Sequence, residues 1–259
     1  GRPYSFGRPS SGGSKAAYPC KSYGQGRINP AYFYGVFDPN DMRRDVSITM
    51  TGSNGKGVEK LIPFVPNSKA EGGGLTLNKW DNPWVAAQRK SGINGPYMRM
   101  SEVYLGYAEV CAALGDVVTG KQYLKTVRER SFPQGLANTD AFIASFGNDL
   151  VRAIIEERGF EYAGEGDRRW TLIRSGYLPE DIKRIKDMTK AMMDGLATKG
   201  YYEFENGNII SAYIWTKLVD AKTIYGHRLT AQCPTDKVND PVLYPGWRAL
   251  CLGHQPRQR

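Results

Sequence analysis

Apolar and polar residues alternate in two different ways along this chain, and the change falls at Pro96. Before it, residues 1–96 carry closely spaced turn signals ("NP", "DPND", "TGSNGKG", "EGGG", "DNP", "INGP"). Short strand-like runs lie between them at 46–50 and 61–65. After it, "YMRMSEVYLGYAEVCAALG" reads as an unbroken helix ended by Gly115. A second helix is predicted over about 120–130, stopping before Phe132-Pro133. A third begins after Asn138-Thr139, with Asn148 restarting or capping its main segment through Tyr162. Pro179 opens a long amphipathic helix whose apolar stripe is Ile182, Ile185, Thr189, Met192 and Leu196, with acids in its first turn and Gly200 at its end. In "YYEFENGNIISAYIW" the Asn206-Gly207 pair between apolar runs predicts a hairpin with a two-residue turn. Residues 218–259 return to loop chemistry. The expected fold class is mainly α, with helix pairs joined by short turns, long loops, short strands and one β-hairpin. Two segments are expected: 1–96, loop-rich, and 97–259, helical, together one structural domain.

Charge complicates the helical pattern. "IIEERGFEYAGEGDRRWTLIRSG" threads acids and arginines through apolar positions. With Leu150 at 0° and about 100° per residue, Ile154, Val151 and Ile155 define the inward arc. Arg158, Glu161 and Glu165 fall on that same arc, while Arg152 and Glu156 point away from it. On the earlier helix Arg99, Glu102 and Glu109 cluster within about 80°. Gly106 and Ala113 share that side, where a neighbouring helix can approach closely. Arg128 faces inward on the second helix, and Arg168 and Arg174 follow the "GEGD" turn. Buried charges must be paired, and arginine's planar fork suits the task. The expectation is an interhelical ion-pair network of Glu102, Glu109, Glu161 and Glu165 with Arg99, Arg128, Arg158, Arg168 and Arg174. A glycosidase pair of carboxylates is the competing reading. It needs one acid whose pKa is raised, and interleaved arginines act the other way.

Composition narrows the function classes. The net charge of +9 is spread along the chain and not gathered into one patch, so a nucleic-acid partner is not expected. Cys20, Cys111, Cys233 and Cys251 lack metal-ligand spacing, and the two histidines, His227 and His254, lie in the tail. Neither a metal site nor a histidine-based triad is expected, and no cofactor. The pairing of the cysteines stays open. No run approaches a membrane span, and no signal peptide opens the chain.

The three charged blocks carry a family resemblance. "YMRMSEVYLGYAEVCAALGD", "YLKTVRERS" and "DLVRAIIEERGFEYAGEGDRRWTLIRSG" follow, in order and spacing, the pattern of the SusD/RagB family of the Bacteroidetes. The matching positions are Arg99, Glu102, Tyr104, Leu105, Ala108 and Glu109 in the first block, and Arg128 and Arg130 in the second. Glu157, Arg158, Glu161, Glu165, Gly166, Arg168, Leu172 and Arg174 carry the third, and "DPVLYPGWR" resembles the family's closing segment. The resemblance implies a tetratricopeptide-like α/α scaffold and a non-catalytic protein on the outer face of the outer membrane. That protein binds oligosaccharides, or peptides in the RagB branch, and delivers them to a SusC-like TonB-dependent transporter. It also implies membrane attachment through a lipidated cysteine. Cys20 has no apolar segment before it, so the chain is expected to be the C-terminal part of a longer protein. A helical-repeat adaptor for protein segments is the alternative of a different class.

Sugar sites combine flat aromatic platforms with polar hydrogen bonders. The loop-rich third offers Trp80, Asp81, Asn82 and Trp84 in "NKWDNPWVAAQR", and Arg27, Asn29, Tyr32, Phe33 and Tyr34 in "RINPAYFYGVF". Trp80 and Trp84 are the foremost candidates, with Asp81, Asn82, Tyr32, Tyr34 and Arg27 beside them. Trp170 and Trp247 are expected to pack into the scaffold.

Overall fold

The computed structural model describes residues 28–49, 51–53, 59–61, 76–77, 79, 96–211, 213–218, 224–226 and 248–251. Helices dominate them. In chain order they are α1 (Pro30–Gly35), α2 (Met42–Ser47), α3 (Met100–Ala113), α4 (Val117–Glu129), α5 (Thr139–Ala144), α6 (Leu150–Glu161), α7 (Arg168–Ser175) and α8 (Leu178–Lys199). No helix among the described residues is long and apolar enough to cross a membrane. The chain divides into two compact units.

One unit comprises Phe37–Ser47 and Asn94–Arg184. Its helix starts follow from local chemistry. Asp116 accepts from the Thr119 N–H, Asn138 from that of Ala141, and Asp149 from that of Arg152. Each satisfies an N–H that has no intrahelical partner. The cap of α6 is thus Asp149, one residue later than Asn148, which turns the corner in the left-handed region at φ 65°. Helix α3 ends at Ala113, and Gly115 (φ 87°) makes the turn into α4.

The α3–α4 hairpin packs on α6 around Leu105, Ala108, Leu124, Val127, Ile143, Leu150, Ala153, Ile154 and Tyr162. The close approach between α3 and α4 is at Gly120, where a Cβ would meet the Ala108 carbonyl at 3.0 Å and Leu150 Cδ2 at 3.2 Å. It is not at Gly106, beside which there is open space. Helix α6 is covered on every side, so the polar face expected for it does not exist: Arg152 and Glu156 are buried along with Ile154 and Ile155.

The other unit takes the remainder of the chain, including α1 and the part of α8 from Ile185 onward. Its strands are short and antiparallel. They are β1 (Ile48–Thr49), β2 (Thr51–Ser53), β3 (Glu59–Leu61), β4 (Thr76–Leu77), β5 (Tyr201–Glu203), β6 (Ile209–Ser211), β7 (Tyr213–Leu218), β8 (Ile224–Gly226) and β9 (Arg248–Cys251). They pair as β1–β4, β2–β3, β5–β6 and the sheet β8-β7-β9. Of the run expected to be extended at 46–50, Val46 and Ser47 instead close α2.

The β5–β6 hairpin forms with Glu203 opposite Ile209, but its loop is longer than the two residues expected. The Gly207 N–H donates to the Phe204 carbonyl and the Phe204 N–H to the Asn208 carbonyl. Only Gly207 (φ 80°) is left-handed, and Asn206 is not. That is a three-residue loop ending in a glycine bulge, since a two-residue type I′ turn needs both central residues left-handed.

The side-chain amides of Asn206 and Asn208 donate to the Tyr34 carbonyl at 3.0 and 2.8 Å, tying the hairpin loop to the end of α1. Gly35 lies so close to α8 and the hairpin that a Cβ there would fall 2.1 Å from Met188 Sδ and 2.8 Å from Phe204 Cδ1. Gly35→Ala is therefore expected to cost about 1–3 kcal/mol by overpacking, read as a lower midpoint in thermal melts. An unchanged midpoint would mean that this seam yields without cost. Gly200 (φ 76°) ends α8. On α8 the buried positions are Asp181 and Met192, while Ile182 from the expected stripe is exposed, lying at the rim of that arc.

Candidate functional site

The described part of the chain concentrates its chemistry around α6. Glu157, fully buried, accepts from Arg43 Nη1 at 2.6 Å and from Arg128 Nη1 at 2.9 Å. Glu161, one turn on, accepts from Arg43 Nη1 at 3.1 Å, Arg99 Nη1 at 2.7 Å and Arg130 Nη2. Arg99 also grips Glu165 in a two-pronged bond (Nε to Oε2 at 3.0 Å, Nη2 to Oε1 at 2.8 Å) and donates to the Glu161 carbonyl. Arg43 is anchored in turn by Asp41, at 2.6 Å. On another side Glu156 meets Arg168 at 2.7 Å and Arg184 at 3.0 Å, and both also reach Asp181. Arg158 pairs with Asp167 at 2.6 Å, and Asp167 also accepts from the Thr171 hydroxyl. Arg174 holds Glu109 with both prongs.

Aromatic faces complete the seats. The Arg128 guanidinium lies 3.8 Å from the Phe142 ring centroid and 4.7 Å from that of Phe132. Arg99 and Arg158 flank the Tyr162 ring, and Arg152 lies 4.1 Å from that of Tyr177. These contacts let a charge lie among apolar side chains.

Titration follows from this surrounding. Burial by itself would raise the Glu161 carboxyl, but the Arg99 hydrogen bond and the charges of Arg130, Arg43 and Arg99 outweigh it and hold the group at about 2. Burial works against the charge of Arg43 as well, and Glu157 and Asp41 more than restore it. Burial pushes the Tyr162 hydroxyl up to about 12, against the Ser101 hydrogen bond. A carboxylate locked in its charged form by three guanidinium groups has no proton to give near neutral pH, so Glu161 is unsuited to general-acid work.

Arg99, Arg128, Arg158, Glu161, Glu165 and Arg168 thus come together on or around α6, while Arg174 and Glu109 pair with each other at a more exposed place. Glu102 is at the edge, 3.7 Å from Arg158 and partly exposed. Periodicity missed Asp41, Arg43, Glu156, Glu157, Arg130, Asp167, Asp181 and Arg184 as partners. The "DPNDMRRD" run at 38–45 reads as turns, and nothing in its spacing points to α6. Trp170, expected to pack, is 69% exposed. The inward arc of the short α7 is occupied by Arg168, Thr171 and Leu172, and Trp170 points the opposite way.

Among the candidate binding residues, Arg27, Trp80, Asp81, Asn82 and Trp84 lie outside the described residues, as does Trp247. Tyr34 is buried at 3% exposure, a correction to its reading as a platform: its ring offers no face to a ligand. Phe33 is buried too. Tyr32 is half-buried, with its ring edge-on to Phe33. Asn29 caps α1 and donates to Thr189 Oγ1 at 2.9 Å. Among the described residues no group of acids, cysteines and histidines is placed to hold a metal ion.

Comparison with known proteins gives one family. The profile of the SusD family matches residues 7–219. SusD-like protein P25 of Formosa agariphila is 29% identical over 155 residues, which cover 60% of this chain and 26% of that protein. The chain therefore spans about a quarter of the length of the curated relative it matches. No solved structure matches it.

Proposed function

The chain belongs to the SusD family, and on that premise we propose that it is part of a cell-surface nutrient-binding protein. Its ligand is an oligosaccharide, bound without chemical change and passed to a SusC-like TonB-dependent transporter in the outer membrane. The observation that supports the reading most is the family match itself, whose extent includes the charged blocks around α6. The chemistry of those blocks agrees with a binding role: Glu161, the carboxylate met by the most arginines, is held ionised, and such a group braces helices and does not protonate a leaving group.

The binding surface in this proposal is the aromatic stretch from Trp80 to Trp84, with Asp81 and Asn82 supplying hydrogen bonds. Arg27 and the half-buried Tyr32 are secondary candidates. Titration calorimetry with oligosaccharides of graded length, and peptides as the competing class, tests it. Trp80→Ala and Trp84→Ala are each expected to weaken oligosaccharide binding about 30-fold, the equivalent of roughly 2 kcal/mol, with the melting temperature nearly unchanged. Binding of peptides alone would transfer the protein to the peptide-binding branch. A large fall in melting temperature with affinity intact would return both rings to a packing role. Release of shortened sugars, abolished by Glu161→Gln, would overturn the non-catalytic reading.

A further inference from the structure

The loop between β5 and β6 carries a chemistry besides its geometry. An asparagine followed by glycine is able to rewrite itself. The glycine backbone nitrogen attacks the side-chain carbonyl carbon, and the amide nitrogen leaves as ammonia. Water then opens the five-membered imide to aspartate or isoaspartate. Overall one water enters and one ammonia departs, with no catalyst or oxidant. Glycine favours the attack because no Cβ crowds the nitrogen. Among the described residues Asn206 alone is an asparagine followed by glycine.

The folded loop opposes each of these moves. The Gly207 N–H, which must lose its proton to attack, donates to the Phe204 carbonyl at 2.9 Å. Asn206 Oδ1 accepts from the Asn208 N–H at 3.0 Å, and the Nδ2 that must leave donates to the Tyr34 carbonyl at 3.0 Å. The buried Asn208 side chain holds the same carbonyl at 2.8 Å. Reaction therefore waits until the loop leaves α1, and its rate follows the fraction of molecules that are open. The product does not restore the bond. A carboxylate sets an anionic oxygen where an N–H donor faced the Tyr34 carbonyl, which leaves that acceptor opposed instead of paired. Isoaspartate also lengthens the backbone of the loop by one carbon. We propose that Asn206 is a site of spontaneous, one-way modification gated by the docking of its own loop on α1. It stays an amide while docked, becomes an acid once released, and then no longer ties the hairpin to α1.

The test ages the 259-residue chain in mildly alkaline buffer and maps amide-to-acid conversion by peptide mass spectrometry. Asn206 is scored separately from Asn54 and Asn94, which also precede glycine. Its conversion in the folded chain is expected to be at least about 30-fold slower than in the same chain unfolded in guanidinium chloride, the combined hold of these hydrogen bonds. Asn208→Ala removes one hold and leaves the Asn206-Gly207 pair intact, so it should speed conversion in the folded chain about 5-fold or more. Gly35→Ala, which overpacks the same seam, serves in case that variant does not fold. Asn206→Asp, the product itself, is expected to lower the melting temperature by at least about 2 °C. Equal rates in the folded and unfolded chain, or a folded rate indifferent to both loosening variants, would overturn the gating. An unchanged melting temperature in Asn206→Asp would overturn the loss of the tie.

Discussion

Glu157→Gln is expected to lower the stability of the helical unit by about 3–5 kcal/mol, the largest effect of any single change considered for this chain. The carboxylate is fully buried and neutralises Arg43 and Arg128 together. Glutamine keeps the shape but not the charge. Arg43 retains Asp41 and Glu161. Arg128, itself buried, has no other carboxylate among the described ion pairs and is left with the rings of Phe132 and Phe142. Chemical denaturation followed by circular dichroism gives the number. A companion Arg128→Met in the Glu157→Gln background should recover much of the loss, since removing both charges is far less costly than stranding one. Additive losses in the double variant would show that the pair is not coupled.

The second large effect is an acid dependence. Glu161 is held at about 2 when folded, against an ordinary value of 4.5. A depressed carboxylate contributes stability that is fully present above the unfolded value and is lost as pH falls through the folded one. The window is therefore about pH 4.5 down to about 2, and the contribution is on the order of 3 kcal/mol. Unfolding free energies measured by urea titration across that window should fall more steeply for the native protein than for Glu161→Gln. Parallel profiles would mean that Glu161 titrates normally and that its arginines do not act on it as the geometry requires.

How far could the sequence be read? The span of α3, the glycine stop after it and the inward turn of Arg158 and Glu161 all follow from periodicity and local chemistry, because each depends on neighbours within a few residues. The errors have a common origin in contacts from elsewhere. A helical wheel places Glu156 and Arg152 outward because it assumes one dry side and one wet side, and α6 has no wet side. Arg43 could not be foreseen, because it reaches α6 from a segment whose local pattern is all turns. Trp170 is expected to pack because its segment resembles scaffold, whereas Thr171 and Leu172 take the buried side of this two-turn helix. The hairpin existed as expected, but its turn was decided by backbone angles that Asn-Gly permits without dictating. The candidate ligand residues Trp80 to Trp84 rest on composition alone and lie outside the described residues, since aromatic and amide side chains in one short stretch carry no register.

The way α6 is held has a consequence for how the unit assembles. Arg43 and Glu157 are 114 residues apart in sequence, Arg99 and Glu161 are 62 apart, and Arg128 and Glu157 are 29 apart. Closing such loops costs entropy before any contact returns it, and folding slows as that separation grows. Until the distant arginines arrive, the middle of α6 is a helix with ionised groups on nearly all sides and favours water over the core. The α3–α4 hairpin, with its neighbouring contacts, carries the smaller loop-closure cost of the two. Helix α6 has its charges fully paired only when all three segments are in register, so a collapsed chain that lacks one of them leaves an ionised group buried without its partner, at a cost of several kcal/mol.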